Sequence, residues 1–194
     1  MNEPDGLNLR MREKDGILVR PFALNDAPAF HASVRESLNE LSYWMPWCHP
    51  DYSLQDAEQW MRHCEASWQN RSEFPLGIFE LASGKVIGGT GINQLNPIYK
   101  IGNLGYWVGT PFTGRGVARA AALMAADIGF NDLGLTRLEI VVLTHNLASQ
   151  RVAEAVGARK ECIARNRLYF QGRPSDAFVY SLIPEDLVRE TSSL

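Results

Sequence analysis

The chemistry in this chain concentrates where Tyr106-Trp107-Val108-Gly109-Thr110-Pro111-Phe112-Thr113-Gly114-Arg115-Gly116-Val117-Ala118-Arg119 leads a strand through a glycine-bearing loop straight into a helix. The first amides of a helix have no internal partners and sit at the positive end of its dipole. Such a junction therefore points several N–H groups at one spot and suits a pyrophosphate. Gly114, Gly116 and Ala118 keep side chains out of the way, while Arg115 and Arg119 add charge. No Lys-Ser/Thr follows the glycines as a P-loop requires, and the G-x-G-x-x-G dinucleotide spacing is missing. Taken alone, the glycines read first as a tight strand-to-helix turn. A second segment, Thr144 to Ala158, shifts that balance. It again ends a strand in a polar turn and opens a helix, with Asn146 and Ser149 near the start, where the strand ends of an α/β sheet gather ligands.

The remaining reactive residue types give weaker signals. His31, His49, His63 and His145 lack metal-ligand spacing, so no metal site is expected, and His31 and His63 read as structural or solvent-exposed helix residues. Cys48, Cys64 and Cys162 are odd in number and without C-x-x-C spacing, which points to idle thiols in a reducing compartment. Trp44, Trp47, Trp60 and Trp68 read as packing residues before base-stacking platforms.

The elements that must position these residues alternate between helical and strand periodicity. Ile17 to Phe22 is a predicted strand, and Asn25 or Asp26 caps a helix running to about Glu40. Tyr43 to Pro50, with two prolines and three aromatics, is a predicted loop. Ser53-Leu54-Gln55-Asp56 has capping-box form and opens a helix to about Gln69. Three antiparallel strands follow: Phe74 to Leu81, Val86 to Leu95 and Lys100 to Val108. Beyond them come a helix from Gly114 to about Phe130, a strand from Leu138 to Leu143, and a helix from Leu147 to Val156 stopped by Gly157. Two closing strands, about Lys160 to Phe170 and Ala177 to Ile183, precede a polar tail from Glu185 that is expected to fray.

The whole chain, 1–194, is expected to be one domain, with a core well within the reach of its 194 residues. Lys plus Arg number 19 against 22 Asp plus Glu, a formal net charge of −3 that argues against a protein gripping nucleic acid through a broad basic face. The first fifteen residues are polar and mixed in charge, and no long apolar run occurs, so neither a leader nor a membrane segment is expected and the cytoplasm is the expected compartment.

Thr113-Gly114-Arg115-Gly116-Val117-Ala118 resembles the [Q/R]-x-x-G-x-[G/A] coenzyme-A loop of the GNAT superfamily of N-acetyltransferases. Asn146, Ser149, Val152, Glu154 and Gly157 resemble that superfamily's N-x-x-S-x-x-[V/L]-x-E-x-x-G helix. Either motif alone is weak, whereas both in order at this spacing are specific, and the likeness spans about residues 17–183. Trp44-Met45-Pro46-Trp47, Asp56-Ala57-Glu58 and Gly105-Tyr106-Trp107-Val108 make it most similar to the Rim-type branch, which acetylates the N-termini of ribosomal proteins.

This resemblance implies an α/β (α+β) fold in which a mixed, mostly antiparallel sheet of six to seven strands splays at a cofactor cleft, flanked by about four helices. It implies acetyl-CoA as donor, with coenzyme A as product, and a protein N-terminal α-amino group or a small amine as acceptor. A non-catalytic acyl-CoA-binding sensor is the alternative. Backbone amides of Gly114 to Ala118, with Thr113, Arg115 and Arg119 around them, are implied to hold the pyrophosphate, and Trp107, Val108, Asn146 and Ser149 the pantetheine. The Val108 amide would meet the thioester carbonyl and Ser149 the leaving thiolate. Trp44, Met45, Trp47, His49, Asp51, Asn103 and Tyr169 are the implied acceptor wall. Asn103 and Leu168 stand where relatives place a catalytic Glu, which leaves Glu139, His145, His49, Asp51, Tyr169 or ordered water as the base. The branch also allows a homodimer.

Overall fold

The computed structural model describes residues 11–191, so the reading of the polar N-terminal segment lies outside the described residues as far as Arg10. Strands β1 (Arg12–Lys14), β2 (Ile17–Pro21), β3 (Phe74–Glu80), β4 (Val86–Asn96), β5 (Ile101–Val108), β6 (Arg137–Leu143), β7 (Arg159–Phe170) and β8 (Arg173–Leu182) form one sheet, ordered β1-β2-β3-β4-β5-β6-β8-β7. Every neighbouring pair is antiparallel except β5 and β6. The mixed α/β class matches the expectation, but the sheet has eight strands where six or seven were expected. The additional strand, β1, is polar because an edge strand needs little more than its ladder with β2. Its Arg12 is further anchored by Asp127 at 2.5 Å and Asp132 at 3.1 Å.

Among the described residues six α-helices, against about four expected, cover the sheet: α1 (Ala27–Glu36), α2 (Leu38–Trp44), α3 (Leu54–Asn70), α4 (Val117–Asp127), α5 (Leu147–Ala155) and α6 (Pro184–Thr191). The helix expected to run to Glu40 divides at Ser37, whose φ of −118° and ψ of 18° leave the helical region. The buried Ser37 hydroxyl accepts a hydrogen bond from Thr110 N–H at 2.9 Å, so the break serves a tertiary contact, and α2 continues into the stretch expected to be loop. The helix expected to about Phe130 does reach it, its α-helical part to Asp127 running on as a wider π-helical turn over Ile128–Asp132, where Leu133 N–H donates to the Ile128 carbonyl at 3.1 Å. The tail expected to fray forms α6 as far as Thr191, and its last residues, 192–194, lie outside the described residues. Pro184 fits a first turn, and the buried Asp186 carboxylate accepts from Ile183 N–H at 3.1 Å.

Two cores flank the sheet. Ala121, Ala122, Ala125 and Ala126 of α4 are buried against Leu76, Ile78, Leu104, Leu138 and Ile140, and their small side chains let the helix lie close to the strands. On the other face α1 and α3 bury Phe30, Val34, Met61 and Cys64 against Phe22, Phe79 and Val86. The predicted capping box opens α3: Ser53 N–H donates to the Asp56 carboxylate at 2.7 Å, and Asp56 N–H donates to Ser53 Oγ at 3.3 Å. Beneath α1–α3 the register brings Gly77 opposite Gly89 and Gly91 opposite Gly105, which keeps the sheet surface low there. Among the described residues no helix is long and apolar enough to cross a membrane.

Candidate active site

The site begins where the sheet comes apart. β5 and β6 pair only through Ile101↔Arg137, Gly102↔Leu138 and Asn103↔Glu139. Beyond that point β6 follows β8 to Leu143↔Ala177, while β5 follows β4 to Gly88↔Val108. Gly109 N–H donates to the Ile87 carbonyl at 2.9 Å. Alternation in an antiparallel ladder then directs the backbone groups of Trp107 and Gly105 toward β4, and those of Tyr106 and Val108 into the gap. The gap thus has a hydrogen-bonding edge that an extended ligand can complete.

At its open end lies the glycine loop. Gly114 and Gly116 have φ of 73° and 78°, and a Cβ on either would meet nothing within 4 Å. Their backbone conformation favours glycine, and the space beside them is open to a ligand. Gly116 is the N-cap of α4 and no side chain caps that helix, so its first amides face outward. The loop is pinned from behind by Ser37 and by Glu40, which accepts from Thr110 Oγ1 at 3.1 Å. Thr113 Oγ1 bonds back to the Thr110 carbonyl at 2.9 Å, Arg115 lies over the Phe112 ring at 5.5 Å, and Arg119 Nε donates to the Ala155 carbonyl at 2.9 Å. Val117 is turned into the core and Ala118 is half-buried beside it. Backbone donors, open space and flanking guanidinium groups fit a pyrophosphate.

Toward α1–α3 the gap opens into a cavity of about 690 Å³. Of the residues expected in the site, Trp44, Met45, Trp47, His49, Asn103, Trp107, Asn146 and Ser149 meet there. Trp44 lies 5.9 Å from the Phe170 ring and 5.6 Å from His145, closing a roof between α2 and β7. Trp107 extends over Gly89 and packs on Phe30 and Trp47 at 5.7 and 5.9 Å. Asn103 Nδ2 donates to Asn93 Oδ1 at 2.9 Å across the floor.

Asp51, Glu139 and Tyr169 are not among the lining residues. Asp51 is exposed, and the exposed Tyr169 donates its hydroxyl to the Gly172 carbonyl at 2.8 Å. Glu139 lies beside Arg137, whose Nη2 is 3.1 Å from it and 2.6 Å from Glu161. Hydrogen bonds from Arg137 and Ser181 hold the Glu161 carboxyl down at about 2, so this cluster is committed to ion pairing. His145 lies in the roof, 5.4 Å from Phe170.

Sequence reasoning missed Tyr106 as a site residue. Its hydroxyl donates to the Ser149 carbonyl at 2.9 Å, and Ser149 Oγ donates to the Tyr106 hydroxyl at 3.2 Å, which ties the two lips of the gap together. Asn146 Oδ1 accepts from Ser149 N–H at 3.1 Å and fixes the start of α5. Burial pushes the Tyr106 phenol up to about 12, so it works as a neutral hydroxyl. Strand alternation with Leu104 and Val108 was the available signal, since it places Tyr106 on the face toward α5. Glu73 and His63, at the far end of the cavity, were likewise not assigned to the site.

A family model described as an acetyltransferase (GNAT) domain matches residues 17–159. The chain is 26% identical over 174 residues to a Bacillus subtilis (strain 168) protein named "Probable N-acetyltransferase YjcK", covering 88% of this chain and 95% of that one. A solved structure described as "a putative ribosomal-protein-serine acetyltransferase from Vibrio cholerae" superposes with a TM-score of 0.78 at 29% identity, covering 90% of this chain and 98% of that one. The fold is also shared with the microcin C7 self-immunity acetyltransferase MccE, solved with acetyl-CoA and AMP, at a TM-score of 0.80 and 22% identity, covering 88% of this chain and 93% of that one.

Because Tyr106 is raised to about 12 in the fold, its contribution to stability is complete below the ordinary tyrosine value and fades as pH climbs toward 12. Urea melts between roughly pH 9 and 12 should show wild type losing more stability than Tyr106→Phe, since tyrosine ordinarily titrates near 10. Parallel losses in the two proteins would contradict a buried hydroxyl bridging the gap.

Proposed function

The chain belongs to the family of acetyltransferases built on the GNAT domain, and on that premise we propose that it transfers an acetyl group from acetyl-CoA directly to a primary amine, most specifically a protein N-terminal α-amino group. The observation that carries this reading is the continuity of the uncapped α4 N-terminus, the unpaired β5 edge and the cavity beside Ser149. In that arrangement the amides of Gly114 to Ala118, with Arg115 and Arg119, bind the pyrophosphate. The backbone of Tyr106 and Val108, which faces the gap, pairs with the pantetheine in place of a strand, the Trp107 backbone being turned to β4, and Asn146 steadies the pantetheine.

Acetyl-CoA supplies a thioester carbon open to attack. The Val108 amide donates to its carbonyl oxygen, where negative charge gathers as the amine adds, and the Ser149 hydroxyl donates to the departing sulfur. In the structure that hydroxyl donates to Tyr106 at 3.2 Å, so it turns from the phenol to reach the sulfur, while Tyr106 keeps its hold on the Ser149 carbonyl at 2.9 Å. Trp44, Met45, Trp47, His49 and Asn103 form the acceptor wall and position the amine. The protein-terminus acceptor is supported by the likeness to the Vibrio cholerae structure at 29% identity. The second reading, an acyl-CoA-binding sensor without turnover, is favoured by one observation: Glu139 is engaged by Arg137, and the two carboxylates that line the cavity, Asp56 and Glu73, are engaged by Ser53 and His63. The proposal includes the cytoplasm as its compartment, in keeping with three free thiols, and admits a homodimer.

Purified protein incubated with acetyl-CoA and N-terminal peptides, polyamines or aminoglycosides should release free thiol with a peptide acetylated only at its α-amino group. Turnover of a small amine alone would change the acceptor, and cofactor binding without any turnover would favour the sensor. Gly116→Val should weaken acetyl-CoA binding by about tenfold or more in calorimetry, because the new side chain occupies the cradle and strains a positive φ. Ser149→Ala should lower kcat about 10- to 100-fold with acetyl-CoA affinity nearly unchanged; an unaltered kcat would remove Ser149 from the chemistry.

A further inference from the structure

An amine attacks as the neutral base, yet it reaches a protein as an ammonium ion, so the site needs somewhere for one proton to go. The titratable groups lining the cavity are His49, Tyr52, Asp56, His63, Glu73 and Tyr106. Burial raises both phenols, so they stay protonated. Asp56 is committed to the cap of α3, where it accepts from the Ser53 N–H at 2.7 Å and hydroxyl at 2.6 Å. His49 has only this engaged carboxylate beside it, at 3.6 Å.

His63 has a different environment. Its Nε2 lies 3.5 Å from Glu73 Oε2 and 3.3 Å from Ser67 Oγ. Its ring stacks on Trp60 with centroids 5.1 Å apart and planes 24° from parallel. A proton on Nε2 directed at the carboxylate leaves the Nδ1 lone pair as the basic position. The surface leading there is polar. Asn103 donates to Asn93 across β5 and β4, and Glu73, one residue ahead of the Phe74↔Ile92 pair, extends the row on the same face toward α3. Two strand spacings, about 10 Å, separate Asn103 from Glu73.

We propose, resting on the acetyl-transfer reading above, that His63 is the proton acceptor of this enzyme, reached through solvent in the cavity along Asn103 and Asn93, with Glu73 as its positioning residue. One proton leaves the acceptor ammonium for His63 Nδ1, giving a neutral amine and an imidazolium. The amine lone pair forms the C–N bond as the C–S bond breaks, and the second N–H proton passes to the departing sulfur as free thiol. His63 then returns its proton to bulk solvent, so each turnover yields one amide, one thiol and one released proton.

The test compares wild type, His63→Gln, Glu73→Gln and His49→Gln on an N-terminal peptide that wild type acetylates, with kcat and KM followed from roughly pH 6 to 9.5. Besides the adjacent Glu73, the charged and titratable groups that line the cavity with His63 are Asp56, His49, Tyr52 and Tyr106, and no Lys or Arg is among the lining residues. At neutral pH, His63→Gln should lose about tenfold or more in kcat. The deficit should shrink above about pH 9, where an α-amino group with a pKa near 8 is already neutral. Glu73→Gln should show a smaller loss with the same pH dependence, and acetyl-CoA affinity should be unchanged in both. A loss that is uniform across pH, no loss, or the pH-dependent deficit in His49→Gln instead would overturn the assignment. Wild-type turnover tests the acetyl-transfer reading by itself, while the ratio of wild type to variant across pH tests His63, so the two fail separately.

Discussion

Everything distinctive in this molecule follows from the parting of two parallel strands after Asn103↔Glu139. Backbone N–H and C=O groups are costly to leave unpaired away from water, so a sheet that opens at its centre creates a demand that solvent or a ligand must meet. β6 has another partner in β8 along its whole length, and β5 has one in β4, so each lip is held open by the sheet on its far side. The gap is therefore a fixed feature of the topology. An extended molecule entering it gains backbone hydrogen bonds without the fold having to rearrange.

Such an opening weakens the sheet unless its lips are tied by other means, and three ties are present. Tyr106 and Ser149 join them through hydroxyl and carbonyl groups at 2.9 and 3.2 Å. Trp44, His145 and Phe170 join α2 to the far side by aromatic packing above the cavity. Ser37 and Glu40 hold the loop after β5 from the helix side. The first two ties use residues that also line the cavity, Tyr106, Ser149 and Trp44, so cleft width and cleft chemistry there are set by the same side chains. The break between α1 and α2 belongs to this pattern, since it brings Ser37 Oγ to Thr110 N–H.

Much of this was legible in the sequence where the signal is local. The Ser53–Asp56 cap, the hairpins and the glycine loop before α4 depend on residues within a few positions of one another, and they formed as read. The strand β1 was not legible because its stability comes from distant partners, Arg12 reaching Asp127 and Asp132. The helix α6 did carry a local signal in Pro184 and the Ile183–Asp186 bond, masked by the polar composition around it, and Arg159 lies within 3.8 Å of Asp186. The same distinction applies to the site. Asn146 and Ser149 stand at fixed spacing on one helix, whereas the Tyr106 bridge spans 43 positions and the pairing of His63 with Glu73 joins α3 to the approach to β3. Glu139 alternates correctly for a strand, and the residue that engages it, Arg137, is only two positions away, whereas the second carboxylate on that guanidinium, Glu161, comes from a distant strand.

The two ends of the site carry opposite electrostatic character. The α4 N-terminus and its arginines favour an anion, whereas the cavity is lined by Asp56 and Glu73 without a Lys or Arg. A negative cavity draws in an ammonium ion, but it also holds the proton on that ion more firmly, which opposes formation of the attacking base. Handing the proton to an imidazole within the same cavity removes this conflict. An ammonium ion becomes neutral as an imidazole becomes cationic, so the total charge inside the carboxylate field does not change and most of the field's effect cancels. A carboxylate acceptor would instead give up the anionic charge that attracts the substrate. In the proposed route, the cavity can therefore attract a cationic acceptor and still deprotonate it, provided that the proton goes to a neutral base such as His63.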